Sequence, residues 1–213
     1  NWQKDSLAKA AFRDTNAMLK KAQNLFMDVS RLFLKSERID YDIYAVDKEI
    51  NAMEIEVRRK VLEHLSVNPK QDLVASLILT TIISDIERIG DFAKNVFELH
   101  QIYPKVTEDE KYLVKLKSIA ENIREMFELT VVAFEFENKE EASKAMDLSR
   151  AIKQNCERII RDLASDDSLK AREALGLGLF SRYIKRVTSH LANVVTSVLN
   201  PFDRIGYYLD KDL

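Results

Sequence analysis

The chain has 213 residues, of which 46% are hydrophobic and 32% charged, with only 4 glycines and 3 prolines. This composition favours long helices over sheets and argues against a disordered chain. The net charge of −2 excludes a strongly basic protein, so we expect no nucleic acid to bind.

Helical periodicity predicts three helices on each side of Pro104 and no strand. The second and third helices are expected to form a hairpin about Asn68-Pro69, because Pro69 disfavours helical conformation at the residue before it and can begin the next helix. The last helix is expected to end before Pro201. The predicted helices cover approximately residues 5–36, 42–66, 70–100, 108–137, 139–164 and 169–199.

The two halves repeat the same layout. The turn at Asn68-Pro69 is matched by a turn at Asp166-Asp167, and at that offset the apolar register of the third helix matches that of the sixth. We therefore predict an all-α fold of two tandem three-helix bundles, residues 1–104 and 105–213, packed end to end or side by side.

An acidic cluster follows an uncharged run, residues 73–84, on the third helix. Glu87 and Asp91 are one turn apart on one face, which costs a few tenths of a kcal/mol unless a cation offsets their repulsion. Asp85 points about 160° away from Glu87 and is therefore a weaker candidate ligand. A solvated helix face is the alternative explanation for these acids.

The second helix carries Asp47, Asn51 and Glu54 in one stripe beside its apolar seam. A hairpin about Asn68-Pro69 would place Asp47 level with residue 90 and Glu54 level with residue 83. Carboxylates that converge from neighbouring helices hold hard or borderline metal ions. No histidine lies in these stripes to favour zinc. The expected ligands are Asp47, Glu54, Glu87 and Asp91, with Asp85 weaker and with Asn51 and Asn95 as orienting groups.

The segment "DIERIGD" followed by "AKN" resembles the signature of the PhoU family, whose members regulate phosphate uptake. The upstream "DKEINAMEIEV" and the turn "NPKQDL" are similar to the family's second-helix and turn patterns. The resemblance implies two three-helix bundles, a non-enzymatic regulator of phosphate transport and signalling, and a metal at the acidic motif. The expected ion is divalent or trivalent: iron, manganese or zinc.

Partners also follow from the resemblance. Family members link the ATPase of a phosphate ABC transporter to a sensor histidine kinase, so we expect protein–protein docking, and a homodimer is compatible with it. The alternative function is the cytoplasmic domain of a sodium–phosphate cotransporter, which the start at Asn1 rather than Met leaves open. A carboxylate-bridged metal enzyme would need two Glu-x-x-His pairs, and none exists; a bundle without metal is the remaining alternative.

Location is indicated by two features. The single cysteine, Cys156, excludes an internal disulfide and suits a reducing cytoplasm, where we expect the protein to be found. The N-terminal residues do not have the pattern expected of a signal peptide, and no uncharged run in these 213 residues reaches the roughly 20 that a membrane-spanning helix needs.

The second half lacks the acidic set. The offset between the two turns pairs each of five motif residues with a residue of the second half. In chain order, Asp47, Asn51, Glu54, Glu87 and Asp91 correspond to Ala145, Ser149, Ile152, Lys185 and Ser189. We therefore expect one metal site at most. Lys185 either provides a built-in positive charge at the position of the missing acids or, as the simpler interpretation, belongs to a solvated basic face.

Three glycines lie within predicted helices. The first lets a neighbouring helix or a ligand approach the backbone or has a plain packing role, and the other two loosen the sixth helix or let it pass close to another. The three are Gly90 in the acidic motif and Gly176 and Gly178 in the sixth helix, where close packing is the favoured explanation.

Overall fold

The computed structural model describes residues 7–104 and 110–207. These residues form an all-α fold, with no strand in either range. A short 3-10 turn, Phe202–Arg204, follows the last helix. The helices are α1 (Leu7–Lys35), α2 (Ile43–Val67), α3 (Leu73–Ile102), α4 (Glu110–Phe136), α5 (Lys139–Ala164) and α6 (Ala171–Leu199).

The predicted six helices and all-α class are confirmed, and most boundaries agree within a few residues. Asp5 and Glu108, where we expected α1 and α4 to begin, lie outside the described residues. The expectation that Pro69 begins the third helix is wrong. Residues 69–72 form a turn instead, and α3 begins only after Asp72, which adopts a left-handed conformation with φ of 55°.

The helices pack as two units that lie side by side. Within the first unit α1, α2 and α3 contact one another, and within the second α4, α5 and α6 do the same. The units meet where α1 packs on α4 and α3 packs on α6. The buried rings of Phe33 on α1 and Phe180 on α6 also stack across this joint, with centroids 4.4 Å apart. Because α3 contacts helices of both units, its faces have different environments.

None of the described helices carries a stretch that is both long and apolar enough to cross a lipid bilayer.

Gly176 lets α6 pass close to the end of the first unit. A Cβ at this position would lie 2.8 Å from Cδ1 of Tyr103, a distance that the packed ring cannot accommodate. The Tyr103 ring is buried and lies beneath the Arg172 guanidinium, whose centre is 5.2 Å from the ring centroid. Close packing is therefore the role of Gly176. The same expectation is wrong for Gly178, where a Cβ would meet nothing within 4 Å.

We expect Gly176→Ala to destabilise the protein and Gly178→Ala to stabilise it. Both substitutions favour the helix by about 0.5–1 kcal/mol, since alanine loses less backbone entropy than glycine. At Gly176 the clash with Tyr103 should outweigh this gain and leave a net loss of about 1–2 kcal/mol. Urea unfolding, with midpoints compared at equal m-values, measures both changes. Equal effects of the two substitutions would contradict this account of Gly176.

Candidate metal centre

The acidic cluster lies along the contact between α2 and α3. Gly90 of α3 is buried against Ile50 of α2, and a Cβ at Gly90 would lie 3.2 Å from the Ile50 side chain. The small residue therefore allows the backbones to approach. The approach brings the carboxylates of Asp47 and Glu54 on α2 beside those of Glu87 and Asp91 on α3.

The register of the α2–α3 hairpin differs from the predicted one by about one helical turn. Asp47 lies beside Lys94 rather than Gly90, and Arg58 reaches Ser84. The difference arises because residues 69–72 form a turn, which moves the centre of the hairpin towards α3. Glu54 is consequently close enough to Glu87 to perturb its ionisation.

Asp47 is the most deeply buried acid of the cluster, with only 6% of its surface exposed. Its Oδ2 accepts a hydrogen bond from Lys94 Nζ at 2.9 Å. Its Oδ1 is buried and has no hydrogen-bond partner among the described residues, and the same holds for Oδ1 of Asn51 one turn later. Buried oxygens without partners are costly, so these two atoms are suited to accept a ligand.

Glu87 carries the least compensated charge of the cluster. Burial, together with repulsion by the carboxylates of Asp91 and Glu54, raises the pKa of Glu87 above its ordinary value. The nearest basic group, Arg88 Nε, lies 3.7 Å from Glu87 Oε2 and belongs to a mostly exposed side chain. A cation placed among these carboxylates would therefore be stabilised.

Basic side chains neutralise most of the cluster. Arg58 forms an ion pair with Glu54 at 2.8 Å, and Arg88 forms one with Asp91 at 3.3 Å. Lys94 Nζ bridges Asp47 and Asp91, at 2.9 and 3.2 Å. The like-charge cost expected from the sequence is therefore offset largely by the protein's own cations.

The structure places most of the predicted ligands along the contact between α2 and α3. Glu54, Glu87 and Asp91 are half-buried there, Asp47 is buried beside them, and Asn95 lies half-buried one turn after Asp91. Asp85 does not join them. Two residues along a helix turn a side chain to nearly the opposite face, so Asp85 lies at the contact with α6 and bonds to His190 and Asn193 there.

The donor chemistry of the cluster fits a hard or borderline metal ion, with four carboxylates and two amide oxygens on two neighbouring helices. The present side-chain arrangement does not hold one. In the described part of the chain, no three carboxylate, imidazole or thiol groups converge closely enough to bind an ion. The carboxylates must therefore leave Lys94, Arg58 or Arg88 before they can share a metal.

The corresponding region of the second unit is built differently. Ala145, Ser149 and Ile152 are buried there and offer no carboxylate. Lys185 forms an ion pair with Glu157 and has about a quarter of its side chain exposed. Its partner Glu157 is exposed, as are Arg182 and Arg186 on the same stretch of α6, so the solvated basic face stays a prediction in which the charge of Lys185 is locally paired.

Comparison with known proteins identifies a family. The model of the PhoU domain matches residues 15–99 and 116–198, which is most of each unit. No curated protein sequence matches this chain significantly.

Two solved structures share the fold. The structure of PhoU from Pseudomonas aeruginosa is 19% identical, with a TM-score of 0.70 over 91% of this chain and 92% of that one. That of the phosphate transport system regulatory protein PhoU from Streptococcus pneumoniae is 15% identical, with a TM-score of 0.70 over 91% of each chain. At this level of identity the likeness concerns the fold.

Proposed function

This chain belongs to the PhoU family, and from that premise we propose that it regulates phosphate transport and phosphate signalling by docking to other proteins with a metal ion bound at the α2–α3 cluster. The Streptococcus pneumoniae structure with the same fold carries the name of a phosphate transport system regulatory protein. Two parts of this proposal, metal binding and docking, are supported separately. Metal binding is supported by the buried Oδ1 of Asp47, which has no hydrogen-bond partner among the described residues.

Four carboxylates would hold the ion, those of Asp47, Glu54, Glu87 and Asp91, with Asn51 placed to contribute or orient. Iron, manganese and zinc all accept carboxylate ligands. When bound, the ion supplies a fixed positive charge among acids that otherwise repel one another. The protein's own contribution is a rigid helical frame, since Gly90 and Ile50 fix the spacing of the two helices.

The docking half of the proposal concerns an apolar surface beside the cluster, which we call the hairpin face. Its side chains are mostly exposed although they are hydrophobic, which is typical of interaction sites. They are Ile55, Leu62, Val67, Leu73, Val74 and Leu77. By family resemblance, the partners would be the ATPase of a phosphate ABC transporter or a sensor histidine kinase.

Arg58 connects the hairpin face to the cluster. It lies between Ile55 and Leu62 on α2, pairs with Glu54 and donates to Ser84 Oγ at 2.8 Å. A metal that takes Glu54 would release the Arg58 guanidinium to the hairpin face. Metal occupancy would thus change the charge that a docking partner meets.

Metal content tests the metal half. We expect tag-free protein reconstituted with Fe²⁺, Mn²⁺ or Zn²⁺ to retain near-stoichiometric metal by mass spectrometry. The Glu87→Gln/Asp91→Asn variant should lose it while it stays helical, because two of the four charged ligands are neutral. Glu121→Gln/Glu125→Gln is the matched control, with the same spacing on the exposed face of α4. Equal metal content in both double variants, or none in the parent protein, would contradict the proposal.

Stability without metal provides a second measurement on the same site. Because the folded pKa of Glu87 is raised above its unfolded value, ionised Glu87 destabilises the metal-free protein at neutral pH. Glu87→Gln should therefore raise Tm by about 1–2 °C at pH 7. The difference should vanish below about pH 4, where the carboxyl is protonated in both states. Solvated acids at a helix end would show no such gain.

A further inference from the structure

Lys94 joins the two helices of the cluster. It extends from α3, and its Nζ lies 2.9 Å from Asp47 Oδ2 and 3.2 Å from Asp91 Oδ1, so one ammonium joins carboxylates of both helices. Only 24% of the Lys94 side chain is exposed, compared with 51% for Arg58 and 61% for Arg88. The two arginines therefore lie at the rim of the cluster, whereas Lys94 lies within it.

The ammonium uses the same oxygens that a metal would need. Burial opposes the charge on Lys94, yet hydrogen bonds with Asp47 and Asp91 outweigh this and raise its pKa. The ammonium lies about 3 Å from one carboxylate oxygen of Asp47 and one of Asp91. A metal ion bound by the same two oxygens would lie close to the ammonium, and the two cations would repel each other strongly. Metal binding therefore requires Lys94 to leave, whereas Oδ1 of Asp47 is already without a partner among the described residues.

We propose that Lys94 is a built-in competitor of the metal, which closes the carboxylate cluster in the metal-free protein and swings out to solvent when an ion binds. The inference rests on the proposed metal site. In this exchange the metal ion replaces the Lys94 ammonium between the carboxylates, and the ammonium moves to the surface of α3. Lys94 thereby lowers the affinity for every ion and favours those that bind carboxylates most strongly.

Metal affinity with and without the ammonium tests the proposal. In Lys94→Met the side chain keeps its unbranched stem but loses the ammonium, so the affinity for Mn²⁺ by calorimetry should rise about tenfold or more. Lys60→Met is the matched control. Lys60 is also 24% exposed and bridges two carboxylates, those of Asp14 and Glu56, but it lies outside the cluster. Its loss should change the affinity no more than about threefold, the effect of one distant charge.

Amine labelling of wild-type protein at fixed pH supplies an independent measurement. Saturating Mn²⁺ should increase the modification of Lys94 several-fold, as measured by peptide mass spectrometry, and should leave Lys60 unchanged. Equal Mn²⁺ affinities of Lys94→Met and Lys60→Met, or weaker binding by Lys94→Met, would overturn the role of Lys94 and leave the metal site standing. If neither wild type nor folded Lys94→Met binds any of the three metals, the metal site itself fails and the inference with it.

Discussion

Replacing Asp85 with alanine should cost about 2–4 kcal/mol of unfolding free energy, because it leaves two donors at the α3–α6 contact without their acceptor. Asp85 Oδ1 accepts from His190 Nδ1 and from Asn193 Nδ2, both at 2.8 Å, and the acid and the imidazole are each about 85% buried. His190 also stacks on Phe92, with centroids 5.7 Å apart, so its ring has little freedom to find water.

Thermal unfolding should show a fall in Tm of roughly 5–12 °C for Asp85→Ala. The control is Asp147→Ala, which removes the same side chain from an exposed position on α5 where Asp147 pairs with Arg150. Its cost should stay below about 0.5 kcal/mol. Asp85→Asn, which keeps one acceptor oxygen, should fall between the two. An Asp85→Ala variant as stable as Asp147→Ala would show that this contact does not hold the units together.

The six helices were predictable because their signals are local. Each helix spaces its apolar residues with a period near 3.6, and few glycines or prolines interrupt them. The two helix starts with clear caps illustrate this. Asp42 and Asn138 accept hydrogen bonds from backbone amides in the first turns of α2 and α5, and these helices begin within one residue of the predicted positions.

The hairpin register was less predictable, because it depends on where a turn ends rather than on where a proline lies. Pro69 marks the break correctly, but the chain stays in the turn until Asp72. That shift of a few residues moves every cross-helix pair by about one turn. Glu54 therefore meets Glu87 rather than Ile83, a difference that helical periodicity alone does not reveal.

The acidic stripes could be recognised from sequence, whereas their compensation could not. Lys94 is one charged residue among many on a helix, and only the three-dimensional register shows that its amine reaches Asp47. Asp85 and His190 lie 105 residues apart, and no pattern in the sequence links them. Groups that depend on contacts between distant helices were consequently missed, while groups on one face of one helix were found.

Docking through the hairpin face predicts a large effect of one exposed residue. Leu62→Asp should weaken binding to the partner, either the phosphate transporter ATPase or the sensor kinase, by about 30-fold or more, the effect of removing an interface hot spot. Leu62 is 68% exposed, so the substitution should leave Tm nearly unchanged.

Val114→Asp provides the matched control for this measurement, because Val114 is 64% exposed but lies on α4, away from the hairpin face. Purified wild type and both variants are titrated by calorimetry against each candidate partner, with and without Mn²⁺. If Val114→Asp weakens binding and Leu62→Asp does not, docking occurs on the second unit. If wild type binds neither partner, the docking half of the proposal fails. Mn²⁺ should raise the affinity of the wild type for its partner more than it raises the affinity of Glu87→Gln/Asp91→Asn. Such a difference would connect the carboxylate cluster to the hairpin face through the release of Arg58.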